Sequence, residues 1–294
     1  MARCVFAMLL NPEYAPAFAP PAPGVQAQRV GRAAIAAMYD ELALTPKPGL
    51  VSFADTGSHS DMDATTFMRS LFALRHYFPR VAMLGAARAP FSALEALGVS
   101  AESRMLAATN GINTHRGAVF TLGILCAAAG LGGGRLSAGK LRQGLMSTWG
   151  DALQARRCRA GVSNGQRAAQ AFGLRSAGEE AALGFPVVFG HAVPALAQAR
   201  QQGLHDQGAR LQTLFEIIAV LDDTNLVHRG GMAGLRFAQS QAREFLRAGG
   251  AARPDALAHA HAIHRAFVAR RLSPGGAADV LAAACFLERI CKNE

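Results

Sequence analysis

The sequence predicts an all-α protein organised as a single multi-helix bundle, and three observations carry that expectation. Apolar residues recur with the helical period along most of the chain. Alternating, β-branched runs of the kind that form strands are nearly absent, whereas Ala, Leu and Arg, which favour helix, dominate. A chain of 294 residues, 51% of them hydrophobic, is also long and apolar enough to bury a full core.

Taken in order, residues 1–27 are expected to be a disordered or extended leader. The apolar run after Arg3 is broken by Asn11, Pro12 and Glu13 too early for an export signal, and a Pro-rich stretch follows. One catalytic domain is expected over residues 28–294. Its first helix begins near Gln28, with Val30, Ala33, Ala34, Ala37, Met38, Glu41 and Leu42 on one face, and Pro46 and Pro48 stop it. The same period predicts helices over residues 62–78, 90–97, 101–108, 118–129, 138–155, 187–201, 209–221, 232–248, 255–271 and 277–291. Residues 130–134 and 161–178 read as glycine-punctuated turns. No segment has the roughly 20 uninterrupted apolar residues of a membrane span. Cys4, Cys126, Cys158, Cys285 and Cys291 show no CxxC spacing, so reduced thiols and a cytoplasmic location are expected, with no membrane partner.

The formal charge of +10 suits either a nucleic-acid surface or a polyphosphate pocket. Lysine occurs only at Lys47, Lys140 and Lys292, so the charge is nearly all arginine, scattered rather than gathered into runs. There is no recognition-helix motif, and Trp149 is the only tryptophan available for stacking. Nucleic acid is therefore not expected as a partner, and a basic nucleic-acid-binding module stands only as the reading from a different class.

Four connections at expected helix ends carry the polar chemistry, which loops on a rigid scaffold often do. In residues 45–63, two prolines bracket Lys47, whose ammonium is a candidate phosphate contact or a solvated end. His59 with Asp61 and Asp63 supplies hard oxygen ligands suited to Mg²⁺, or a helix cap. In residues 109–117, Asn113, Thr114, His115 and Arg116 precede an apolar helix, where a phosphate cradle and a cap are equally natural. Residues 222–231 place Asp222, Asp223, Asn225, His228, Arg229, Gly230 and Gly231 after an apolar helix, whose C-terminal dipole disfavours acids and so favours a functional reading. In residues 273–279, Ser273-Pro274 resembles a helix start, and Gly275 and Gly276 permit close backbone approach.

These pieces, in this order, resemble the triphosphoribosyl-dephospho-CoA synthase family: Thr45-Pro46-Lys47-Pro48-Gly49-Leu50-Val51; Gly57-Ser58-His59 with Asp61 and Asp63; Gly111-Ile112-Asn113-Thr114-His115-Arg116-Gly117; Asp223-Thr224-Asn225 with His228-Arg229-Gly230-Gly231; and Ser273-Pro274-Gly275-Gly276-Ala278-Asp279. The resemblance runs from about Ala33 to Leu287, and Asn110 departs from it where a second glycine is expected before Gly111. It implies a transferase that joins ATP to 3′-dephospho-CoA, giving 2′-(5″-triphosphoribosyl)-3′-dephospho-CoA and adenine. The product is then attached to an acyl-carrier protein by a separate transferase. The run Phe67 to Arg75 with Tyr77-Phe78-Pro79 is more similar to the malonate decarboxylase branch than to the citrate lyase branch.

The chemistry agrees with that implication. Breaking the ribose C1′–adenine bond passes through an oxocarbenium-like state, and attack by a hydroxyl calls for a base. The expected assignment makes Asp222, Asp223, His59 and His228 catalytic, and Asp61, Asp63, Asp222 and Asp223 ligands of Mg²⁺. Lys47, Asn113, Thr114, His115, Arg116, Asn225, Arg229, Gly230, Gly231, Ser273, Gly275 and Gly276 are expected to hold ATP and its partner substrate. A homo-oligomer is compatible with the sequence. The alternatives are the same reaction serving citrate lyase, or an ADP-ribosylglycohydrolase-like Mg²⁺-dependent all-α hydrolase.

Overall fold

The computed structural model describes residues 24–132, 136–157 and 164–291, and among these every regular element is helical. Residues 1–23, and with them most of the expected leader, lie outside the described residues, as does Cys158. The first half holds α1 (Val25–Ala43), α2 (Ala64–Leu74), α3 (Tyr77–Ala86), α4 (Phe91–Ala108), α5 (Arg116–Leu131) and α6 (Ala138–Arg157). Two short helices follow, α7 (Asn164–Phe172) and α8 (Ala177–Ala182), and a π-helical turn, Val188–Ala192, leads into α9 (Val193–Gln201). The chain continues through α10 (Asp206–Val220) and α11 (Thr224–Arg247), then a 3₁₀ turn, α12 (Ala256–Ala269) and α13 (Gly275–Ile290).

The centre of the bundle is α5, whose residues from Ala118 to Ala129 are almost all buried. A helix apolar on every side must be surrounded, and α5 packs against α1, α3, α4, α6 and α13. Its crossing with α3 is close because glycines remove the side chains between the backbones. A Cβ at Gly85 would overlap the Ala127 carbonyl, and one at Gly130 would overlap the Ala82 carbonyl. The Tyr77 hydroxyl lies against Gly123 and donates to the Val119 carbonyl at 3.1 Å. On the other side α1 packs against α13, with the Asp40 carboxylate bound by Arg289 and, at 3.1 Å, by Arg210. Cys126 and Cys285 are buried core thiols.

The element boundaries correct the expectation in several places. α1 starts at Val25 rather than Gln28. The segment expected as one helix over 62–78 breaks at Arg75-His76, because Pro79 belongs in the first turn of a new helix rather than the interior of an old one. The two helices expected over 90–108 are one, continuous through Gly98. Within the glycine-punctuated stretch 161–178, α7 ends in a turn at Gly173, and Ser176 opens α8 with a capping box to Glu179. α11 begins at Thr224, inside an expected loop, and is kinked at Gly231, whose φ of 61° is outside the helical region.

Candidate active site

The loop between α1 and α2 folds back onto the start of α13. The Ser58 hydroxyl donates to the Leu272 carbonyl at 2.6 Å, and the Ser58 N–H donates to the Gly49 carbonyl at 3.0 Å. Gly49 has φ of 66°, and a Cβ there would overlap the same Leu272 carbonyl, so only glycine allows this approach. His59 then reaches Ser273, with Nε2 and Oγ 2.9 Å apart. Arg229 ties the loop to both neighbours: Nη1 donates to the Ser58 carbonyl (3.0 Å) and the Arg271 carbonyl (3.2 Å), and Nη2 donates to His59 Nδ1 at 3.0 Å. A guanidinium only donates, so His59 Nδ1 accepts and its Nε2–H faces Ser273 Oγ. Burial, followed by the Arg229 charge, holds the His59 pKa below its ordinary value, against the weaker pull of Asp61 at 3.7 Å. The result is a neutral imidazole beside a guanidinium, at the end of the bundle where three helices begin.

Those three helix starts are capped by two carboxylates, and α13 and α5 borrow theirs from other elements. Asp223 is the N-cap of its own α11, where Oδ1 accepts from the N–H groups of Asn225 (2.9 Å) and Leu226 (3.3 Å). Its other oxygen accepts from the Ala277 N–H at 2.9 Å, capping α13, which has no side-chain cap from its own N-cap residue. Asp279, in α13, in turn accepts from the Ala118 N–H at the start of α5. Asn113 Oδ1 accepts from the Arg116 N–H at 3.2 Å. Gly276 lies against Asp223 and Gly275 against Asn225, where a Cβ would be 3.1 Å and 2.8 Å from the facing side chains. Burial raises the Asp223 pKa to about 6 although these N–H groups oppose it, and burial with nearby Glu41 and Asp223 holds Asp279 well above the usual carboxylate range.

Beneath the caps lies an internal ion pair. Lys47 is 1% exposed and donates to the Glu41 carboxylate at 2.6 Å and the Glu41 carbonyl at 2.8 Å. Its own carbonyl accepts from His264 Nδ1 at 2.7 Å. His115 is buried nearby: its Nδ1 pairs with Ser70 Oγ at 2.7 Å, Phe67 packs edge-on against its ring, and Nε2 has no partner. Burial, with the Lys47 charge adding to it, pushes its pKa down to about 3.

Residues 27–294 match the family described as ATP:dephospho-CoA triphosphoribosyl transferase. The chain belongs to that family. It is therefore a transferase, and the family resemblance read from the motifs is confirmed. Relatives from Pseudomonas paraeruginosa and Pseudomonas aeruginosa are each 39% identical over 264 residues, covering 87% of this chain and 89% of theirs. A relative from Acinetobacter calcoaceticus is 36% identical over 267 residues, covering 90% of this chain and 91% of its own. All three bear the name "Probable 2-(5''-triphosphoribosyl)-3'-dephosphocoenzyme-A synthase". No solved structure matches the chain.

The residues expected to act in this family's site fall into two groups. His59, Asp61, Arg229, Ser273, Asn225, Asp223, Gly275 and Gly276 are brought together by the loop and the starts of α11 and α13. The expected Mg²⁺ set is not. Asp63 is exposed and caps α2 through Thr66, and Asp222 turns away to accept from the Arg175 N–H at 3.2 Å beside Glu180. Asp223 has backbone donors on both oxygens, which leaves Asp61, 60% exposed. Among the described residues no group of three or more His, Cys, Asp or Glu side chains is placed to hold a metal ion. These carboxylates therefore do not fit a protein-held ion.

Other expectations change in the same physical way. Lys47 is buried and paired with Glu41 rather than exposed at a helix end. Arg116 is exposed and paired with Glu102, and the α5 start carries the carboxylate of Asp279 where a phosphate was expected. Thr114 Oγ1 is buried without a partner. His228 is exposed on α11, and Gly230 packs on Leu272. Asn110, where glycine was expected, adopts φ of 55°, a left-handed conformation that asparagine tolerates, so the loop keeps its turn. Sequence reasoning missed Glu41 and Asp279 as site residues. The signal for Glu41 was a carboxylate on an otherwise apolar helix face.

Proposed function

We propose that the chain joins ATP to 3′-dephospho-CoA through ribose C1′ and the CoA-side 2′-hydroxyl, releasing adenine and forming 2′-(5″-triphosphoribosyl)-3′-dephospho-CoA. The observation that carries this reading is the meeting of the α1–α2 loop with the starts of α5, α11 and α13. The helix starts are already engaged by Asp223 and Asp279, so the donor that suits a triphosphate held intact is Arg229 at the same rim, with the Ser273 hydroxyl beside His59. In this reading the oxocarbenium-like centre at C1′ forms close to the buried carboxylates, whose field favours positive charge. Mg²⁺, when present, neutralises phosphate charge. An ion of this kind keeps most of its ligands on phosphate and water, so it would arrive with the nucleotide, with Asp61 the exposed carboxylate at the rim.

The same reading assigns the product to the acyl-carrier subunit of malonate decarboxylase. Support comes from the run Phe67 to Arg75 with Tyr77-Phe78-Pro79, which is more similar to that branch than to the citrate lyase branch. Incubation of the purified protein with ATP, 3′-dephospho-CoA and Mg²⁺ should give adenine and the triphosphoribosyl adduct in equal amounts by chromatography and mass spectrometry. Adenine without adduct would make the chain a hydrolase. In a strain lacking the chain, the malonate decarboxylase carrier subunit should lose its prosthetic group. Loss confined to citrate lyase would move the assignment to the other branch.

A further inference from the structure

Two carboxylates come close at the helix starts, Asp223 buried and Asp279 half-buried, and they differ in what they are free to do. Asp223 is 2% exposed, and backbone N–H groups of two helices engage both of its oxygens, so it has little capacity to receive a further proton donor. Asp279 keeps part of its surface open. Its one backbone donor is the Ala118 N–H, and its Oδ2 sits where a side chain on Gly117 would be, so the glycine holds the carboxylate at the mouth of α5. A second observation at this helix end also points to a ligand. His115 is 4% exposed, with Nδ1 engaged by Ser70 and Nε2 left without a partner close to Lys47. Buried polar groups in folded proteins are almost always satisfied, and exceptions collect where a ligand or reacting group completes them.

We propose that Asp279 is the general base that takes the proton from the attacking 2′-hydroxyl. The assignment rests on the triphosphoribosyl transfer reading. In the step, the 2′-oxygen bonds to ribose C1′ while the C1′–N9 bond breaks and its electron pair leaves with adenine. The hydroxyl proton passes to the Asp279 carboxylate, adenine takes a proton from water, and Asp279 returns its own proton to solvent. The charged groups that act on Asp279 are Glu41 of α1 and Asp223 before α11, and the Ala118 N–H of α5 opposes them. Burial and these two carboxylates hold its pKa well above the usual carboxylate range. The sign follows: activity is present above that pKa and lost as pH falls through it.

The test uses full-length Asp279→Asn with ATP and 3′-dephospho-CoA. Adduct formation should fall roughly 10²–10⁴-fold while calorimetric binding of both substrates is retained. A folded Asp279→Asn enzyme that turns over within about tenfold of wild type overturns the proposal. If that variant does not fold, Gly117→Ala decides, because its methyl displaces the carboxylate without removing it. A loss of kcat with a shifted acid limb supports the base, and an unchanged kcat and pH profile overturns it. A wild-type enzyme that forms no adduct sinks the transfer reading itself, which separates the two failures.

Discussion

Lys47 shows how a residue can be legible in identity and misread in role. A lone lysine between two prolines invites a phosphate contact, yet its ammonium is shut inside the protein on Glu41. Burial pulls its pKa down and the Glu41 carboxylate pulls it back up, which is the balance of a structural ion pair. Removing one member of such a pair leaves the other charge buried and uncompensated, at a cost of about 3–5 kcal/mol. Lys47→Met should therefore lower the unfolding free energy measured by urea titration by that order, and Lys47→Met with Glu41→Gln should recover part of it. A single variant of wild-type stability with a raised KM for ATP would instead restore the phosphate contact. Asp223 was legible as important, but its two-helix capping was not, because Ala277 is remote in sequence and only the fold brings its N–H near.

At the scale of elements, the all-α class and the buried α5 were readable because periodicity and uniform apolarity follow directly from burial. What the pattern did not reveal was where one helix hands over to the next. Apolar residues continue smoothly through Arg75-His76, and only Pro79 marked a new start. The capping box of Ser176 and Glu179 was likewise a visible start signal inside a stretch read as turns. The closeness of α3 to α5 could not be read at all, since a glycine in a helix looks like a mild defect until its neighbour is known. Gly85→Ala tests that closeness. Its methyl meets the Ala127 carbonyl, so the helices must move apart, and overpacking of this kind costs about 1–3 kcal/mol. The expected result is a lower thermal midpoint with KM for both substrates unchanged, because the crossing lies away from the site loop. Unaltered stability would mean that the crossing is loosely packed.

Across the whole molecule, the formal charge of +10 is carried almost entirely by arginine, and several of these arginines are paired between helices. Arg200 pairs with Asp206 at 2.6 Å and Glu288 at 2.9 Å, Arg156 with Glu95 at 2.9 Å, and Arg210 and Arg289 with Asp40, so these arginines join helices. Arg229 is different, because its donors go to backbone carbonyls and a neutral imidazole, and its charge has no carboxylate in direct contact. It holds the α1–α2 loop against α11 and the turn before α13 while keeping a positive charge at the rim. The two roles predict a joint loss in Arg229→Gln. A ligand that binds only the folded state raises stability by RT ln(1 + [L]/Kd), about 2.7 kcal/mol at a hundredfold excess over Kd, so ATP should raise the wild-type thermal midpoint. In Arg229→Gln that rise should shrink, and protease cleavage within residues 50–60 should quicken even without ATP, since the loop loses its tie. If the ATP-induced rise disappears but cleavage does not change, Arg229 is a phosphate contact alone; if cleavage quickens but ATP stabilises as before, it is a strut alone, and the triphosphate is held elsewhere along the three helix starts.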